Sequence, residues 1–197
     1  MATVAVLGLS FSLTRPLLTA FRIVPLLSTT ASLTHAYMEW LTTSSFIHTI
    51  HDRSLANSSA AVEEMEKAKE QVVPRWFVNF FGTGVWSVIG LNTITLLSAI
   101  ANLWVLPAGL GEDEIFYSVG LAAAVAHYAF VPLVVPSVNG LFKASAVQTK
   151  GDKAKGGEMI AMGNVKEWVS YHRVRMCTVD VVAWVSFVVG GIRVLSV

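Results

Sequence analysis

Near the C-terminal end of the chain, the run Trp168-Val169-Ser170-Tyr171-His172-Arg173-Val174-Arg175 leads into an apolar stretch that carries the carboxylate Asp180. An imidazole, two guanidinium groups and a carboxylate so close together can supply a general base. They can also supply a cation for the negative charge that proton removal leaves behind. Histidine is the natural base, because it titrates nearest to working pH. On a helix, Trp168, His172 and Arg175 share one face, and Arg173, Cys177, Asp180 and Trp184 form an adjoining stripe. Asp180 cannot reach Arg173 across seven residues, so the spacing predicts a charge partner from another helix. His127 is the leading candidate in the third apolar stretch and His35 in the first.

Each of these residues also has a plainer reading. Arg173 and Arg175 can snorkel to lipid phosphates. His172 can sit at the membrane interface, and Asp180 can make a purely structural hydrogen bond, although a carboxylate in lipid is costly. His127 can be a satisfied helix–helix contact. Asn79, Asn92 and Asn139 read most simply as interhelical hydrogen bonds. Glu39, four residues after His35, reads as a solvated interfacial group. The lone Cys177 reads as inert packing among apolar neighbours. No CxxC or Cys/His metal spacing is present, so no metal site is expected.

The elements that must position these groups follow from composition. Of 197 residues, 54% are hydrophobic and 14% charged, and the mean hydropathy is +0.60. A soluble domain carries about 25% charged residues. The expected fold is therefore all-α: a single membrane domain, a bundle of four transmembrane helices near residues 17–41, 76–105, 115–142 and 168–192. The first fifteen residues are open to reading as an interfacial helix. The Ser- and Thr-rich first span can bond its hydroxyls back to its own backbone. Trp76 and Trp104 mark the ends of the second span, and Gly82, Trp86 and Gly90 on one face suggest a close helix approach. Pro132 and Pro136 predict a kink in the third.

Between the spans lie polar segments, read as cytoplasmic loops at 49–75 and 143–166. The first holds His51-Asp52-Arg53 and Asn57-Ser58, then a short amphipathic helix starting at Ser59 with an attractive Glu63/Lys67 pair and a repulsive Glu66/Glu70 pair. The second holds Lys143, Lys150, Lys153, Lys155 and Lys166. Nine Lys and Arg residues on this side face three (Arg15, Arg22 and Arg193) on the other, which places both termini outside or in a lumen. A net charge of +1 and no basic stripe exclude a general nucleic-acid binder.

A resemblance sharpens the reading. His127-Tyr128 through Val135-Pro136-Ser137-Val138-Asn139-Gly140-Leu141-Phe142, followed after a polar loop by Trp168 to Arg175, resembles the fungal anthrone oxygenase-like integral membrane proteins. In that family the third span ends in a P-x-x-N-x-L/F-type pattern, and the fourth opens with a Trp, a nearby His and an Arg. The resemblance covers mainly residues 115–197, with weaker support from Pro74-Arg75-Trp76 onward. The first span departs from it in being more polar, and the segment 49–73 is longer.

The resemblance implies a monooxygenase of secondary metabolite biosynthesis. It would oxidise an aromatic polyketide, an anthrone, to the quinone with molecular oxygen and no cofactor. Its setting would be an endomembrane such as the endoplasmic reticulum, among membrane lipid and partner biosynthetic enzymes. The sequence is compatible, having no nucleotide motif and no CxxCH haem motif. Against that chemistry, His172 is the preferred base and Arg175 the cation for the enolate oxygen. Asp180 orients a histidine or is itself the base, and His127 is a further catalytic candidate. Trp168 and Trp184 would stack on a flat substrate, with Arg173 and Asn139 completing its binding set. The competing readings are a non-catalytic membrane scaffold, a polyketide isomerase or cyclase, and, less favoured without an inverted repeat, a small transporter.

Overall fold

The computed structural model describes residues 2–6, 9–48, 59–106, 110–149 and 160–196. His51, Asp52, Arg53, Asn57, Ser58, Pro107, Lys150, Lys153 and Lys155 lie outside the described residues. The chain is an all-α, multi-pass membrane protein: α1 (Arg15–Ser44), α2 (Ser59–Val105), α3 (Gly111–Gln148) and α4 (Ile160–Leu195) are each long and apolar enough to cross a membrane. Before them, β1 (Ala2–Val6) and β2 (Leu9–Leu13) form an antiparallel hairpin with Val4 opposite Phe11. This replaces the interfacial helix considered for the first residues. β-Branched Thr3, Val4 and Val6 and the alternation of Leu9-Ser10-Phe11-Ser12-Leu13 favour extended backbone.

The helices outrun the apolar stretches. α2 is 47 residues long and absorbs the described part of the first polar segment. Lys67 pairs with Glu63 at 2.6 Å and Lys69 with Glu66 at 2.7 Å on its polar extension. α3 continues to Gln148 and α4 begins at Ile160, so much of the second polar segment is helical as well. Gly111, with φ of 52°, opens α3 in a left-handed conformation that a side chain would disfavour.

Three of the helices change register inside their apolar stretches. α2 ends in a π turn, Ala101–Val105, where the Leu106 N–H reaches back five residues to the Ala101 carbonyl. α3 tightens into a 3-10 turn at His127–Phe130 before Val131 resumes the α-helix. Pro132 follows this turn directly, and Pro136 lies inside the α-helix that resumes. α4 carries a second π turn, Met176–Asp180. Such turns recur at functional sites.

The chain divides into two compact units, each built from segments of all four helices. In the first (residues 1–36, 87–129 and 175–197), Tyr117, Phe187, Ala99 and Ala183 form the core. Here the hydroxyls of α1 bond its own carbonyls, as Thr29 does to Pro25 at 2.7 Å and Thr30 to Leu26 at 2.7 Å. Ser28 also meets Thr95 of α2 at 2.8 Å. The Tyr117 hydroxyl donates to the Arg22 carbonyl at 2.8 Å, and Asn102 donates to the Phe21 carbonyl at 3.0 Å. Asp113 pairs with Arg193, whose guanidinium lies 5.7 Å from the Phe116 ring centre.

The Gly120 backbone touches the Phe187 ring so closely that an added Cβ would stand 2.6 to 2.9 Å from three ring atoms. Gly120→Ala is therefore expected to cost about 1–3 kcal/mol of stability by overpacking, read as a lower unfolding midpoint in detergent. A second change, Phe187→Leu, should recover part of the loss. Gly82 and Gly90 behave oppositely to the sequence expectation: nothing lies within 4 Å of a Cβ built on either, and Trp86 between them is 71% exposed. That face of α2 takes no close helix contact among the described residues.

In the second unit (residues 37–86 and 130–174), Phe77, Leu141, Val165 and Trp168 form the core. Its aromatic rings are linked: Trp76 stacks on Phe80 at 4.7 Å, and Phe77 meets the edge of Trp168 at 5.5 Å. Glu70, expected to repel Glu66, instead caps α4, its two oxygens accepting from the Ala161 and Met162 N–H groups at 2.9 and 3.0 Å. A carboxylate at a helix N-terminus satisfies orphan donors and complements the helix dipole. Gln148 at the end of α3 donates to the Glu70 carbonyl at 2.8 Å and accepts from Arg75 at 3.0 Å. α3 and α4 approach where Ser137 donates to Glu167 at 2.7 Å and Asn164 fills the space a Cβ on Gly140 would need.

Candidate functional site

Two groups of ionisable residues lie within the apolar stretches, one in each unit. In the first unit, Asp180 stands midway between Trp168 and Ile192 on α4 and holds two partners. Its Oδ1 lies 2.8 Å from His127 Nδ1 on α3, and its Oδ2 accepts from Arg175 Nε at 3.2 Å. The side chain of His127 is 7% exposed and that of Asp180 10%. Uncompensated charge at such a depth is expensive, and mutual pairing is what makes three ionisable groups tolerable there.

The local reasons are visible in the backbone. His127 opens the 3-10 turn of α3, and Asp180 closes the π turn of α4. Residues five apart on an α-helix diverge by roughly 140° around the axis. The π turn removes most of that divergence and brings Arg175 and Asp180 to one face. Sequence spacing foresaw His127 as the partner of Asp180 but not Arg175, because it assumed an unbroken α-helix. An ionised carboxylate is an acceptor only, so where Asp180 is ionised the hydrogen of this contact belongs to His127 Nδ1.

In the second unit, His172 is 2% exposed and lies 3.9 Å from Glu39, an ion-pair separation rather than a hydrogen bond. Trp168 stacks on His172 at 4.8 Å with 19° between the rings, as their shared helix face predicts. Glu39 is 8% exposed, which corrects its reading as a solvated interfacial group. No family model matches this chain, and no curated protein or solved structure matches it.

The remaining sequence candidates are placed as follows. Arg173 and Asn139 are exposed. Trp184 donates its indole N–H to Thr30 at 3.0 Å, tying α4 to α1. Cys177 is exposed rather than packed. Of the asparagines read as interhelical bonds, Asn79 and Asn139 are exposed and Asn92 is buried. The role falls instead to Asn102, fully buried in the other π turn. Among the described residues, no group of three or more His, Cys, Asp or Glu side chains is placed to hold a metal ion.

Proposed function

We propose that this protein is a membrane-embedded, cofactor-independent oxygenase that converts an anthrone-type aromatic polyketide to its quinone, working in an endomembrane such as the endoplasmic reticulum. The observation that carries this reading is the His127–Asp180 couple, an imidazole backed by a carboxylate within apolar helices. His127 takes the role of base, which spacing along α4 alone assigns to His172. The resemblance of residues 115–197 to the anthrone oxygenase-like proteins supplies the substrate class.

An anthrone methylene is a carbon acid, because its anion is aromatic and shares charge with the carbonyl oxygen. His127 Nε2 removes one methylene proton. The carbanion passes an electron to oxygen and joins it, giving a peroxide anion that takes the proton back from the imidazolium. The hydroperoxide then loses water across its C–H and O–O bonds. One oxygen atom ends in the new carbonyl and the other in water. The carbon loses four electrons and oxygen gains four. The anion itself reduces oxygen, so the sequence of steps asks for no further redox group.

The rival is a non-catalytic scaffold in which the same pairing only neutralises buried charge. It is favoured by the fact that Asp180 meets both its partners within the chain. Labelled oxygen separates the two. With ¹⁸O₂ and an anthrone, the enzyme reading expects one labelled atom in the quinone, formed above the uncatalysed rate and abolished in His127→Gln. Product at the background rate in folded protein favours the scaffold. Turnover of a polyketide without oxygen points to an isomerase or cyclase.

A further inference from the structure

We infer that Arg175 is a positioning residue, held against Asp180 by the π turn of α4, which fixes the nitrogen of His127 that carries the hydrogen. The inference deepens the proposed chemistry and rests on it. Its basis is the division of labour on one carboxylate: Oδ2 accepts from Arg175 Nε at 3.2 Å while Oδ1 faces His127 Nδ1 at 2.8 Å.

A lone Asp–His contact has two states. In one the carboxylate is ionised, Nδ1 carries the hydrogen and Nε2 is basic. In the other the couple has taken up one more proton: the carboxyl is protonated and donates to Nδ1, and the ring hydrogen sits on Nε2, where it blocks the base. In an apolar setting the neutral state competes strongly, since an unpaired carboxylate there is costly. A guanidinium on the other oxygen favours the ionised state and restrains rotation of the carboxylate.

The backbone builds this arrangement. The Val181 N–H bonds the Met176 carbonyl five residues back, the i→i+5 signature of the π turn. Thr178 Oγ1 also donates to the Arg175 carbonyl, at 3.3 Å. An uninterrupted α-helix would carry Arg175 away from Asp180. The extra residue in the turn therefore serves the side-chain contact rather than the helix.

The test reads the tautomer directly, without turnover. Protein labelled with ¹⁵N-histidine is reconstituted in nanodiscs, and the two ring nitrogens are resolved by ¹⁵N–¹H correlation. His127 is assigned among the five histidines by its loss in His127→Gln. The wild type should show hydrogen on Nδ1. Arg175→Gln should lose much of that signal to Nε2–H, and Arg175→Lys, which keeps the charge, should retain it. Asp180→Asn, which keeps the volume, should lose the preference for Nδ1 as well. Retention of the wild-type tautomer in either Arg175→Gln or Asp180→Asn overturns the inference. If the tautomers respond as expected but no anthrone is oxidised, the positioning role stands and the oxygenase reading falls.

Discussion

Asp180→Ala is expected to destabilise the protein by about 3–5 kcal/mol, the cost of removing one member of a buried ionic group and stranding the others. The substitution leaves the Arg175 guanidinium and the His127 ring without the carboxylate that faces both. The loss should be visible as a lower midpoint in denaturant or thermal unfolding of detergent-solubilised protein. Replacing charged groups together by apolar residues of similar volume is often neutral or favourable. Asp180→Leu combined with Arg175→Met should therefore be clearly more stable than Asp180→Ala alone. A single alanine variant as stable as the wild type would mean that the cluster is hydrated, and its depth in the membrane would have to be reconsidered.

His127→Gln carries the largest expected effect on activity. Glutamine can still donate a hydrogen bond toward Asp180 but cannot accept a proton at a ring nitrogen. Turnover should fall about 10²–10⁴-fold, the contribution of a positioned general base. Stability should change little compared with Asp180→Ala. His172→Gln serves as the contrast. His172 is buried against Trp168 and lies near Glu39, so its loss should affect stability more than the chemical step. A rate loss confined to His172→Gln would restore that residue as the base.

The membrane class and the four helices were legible in the sequence because 18-residue apolar windows leave few alternatives in lipid. Helix ends were not. The segment from Ser59 to Arg75 reads as solvated because it is rich in charged residues, yet the same residues continue α2. Glu70 illustrates the limit: the N–H groups it caps lie more than ninety residues along the chain, and no local pattern signals that. The site was half legible. Asp180 stood out as a carboxylate in an apolar run, and His127 as its partner across helices. Arg175 was missed as a partner because a π turn changes which residues share a face, and nothing in Met176-Cys177-Thr178-Val179-Asp180 announces one. Glycine spacing misled at Gly82 and Gly90, which face outward, while Gly120 and Gly140 make the close approaches. Small residues permit contact without requiring it.

Oxygen uptake decides whether the imidazole–carboxylate couple within the membrane helices oxidises an anthrone without a cofactor. Membranes containing the wild type or His127→Gln would be supplied with an anthrone in the presence of a strong chelator. Oxygen consumption is expected well above the uncatalysed rate for the wild type, unchanged by chelator and lost in the variant. Uptake at the uncatalysed rate with folded wild-type protein, or uptake that survives in His127→Gln, would rule out this role for the couple.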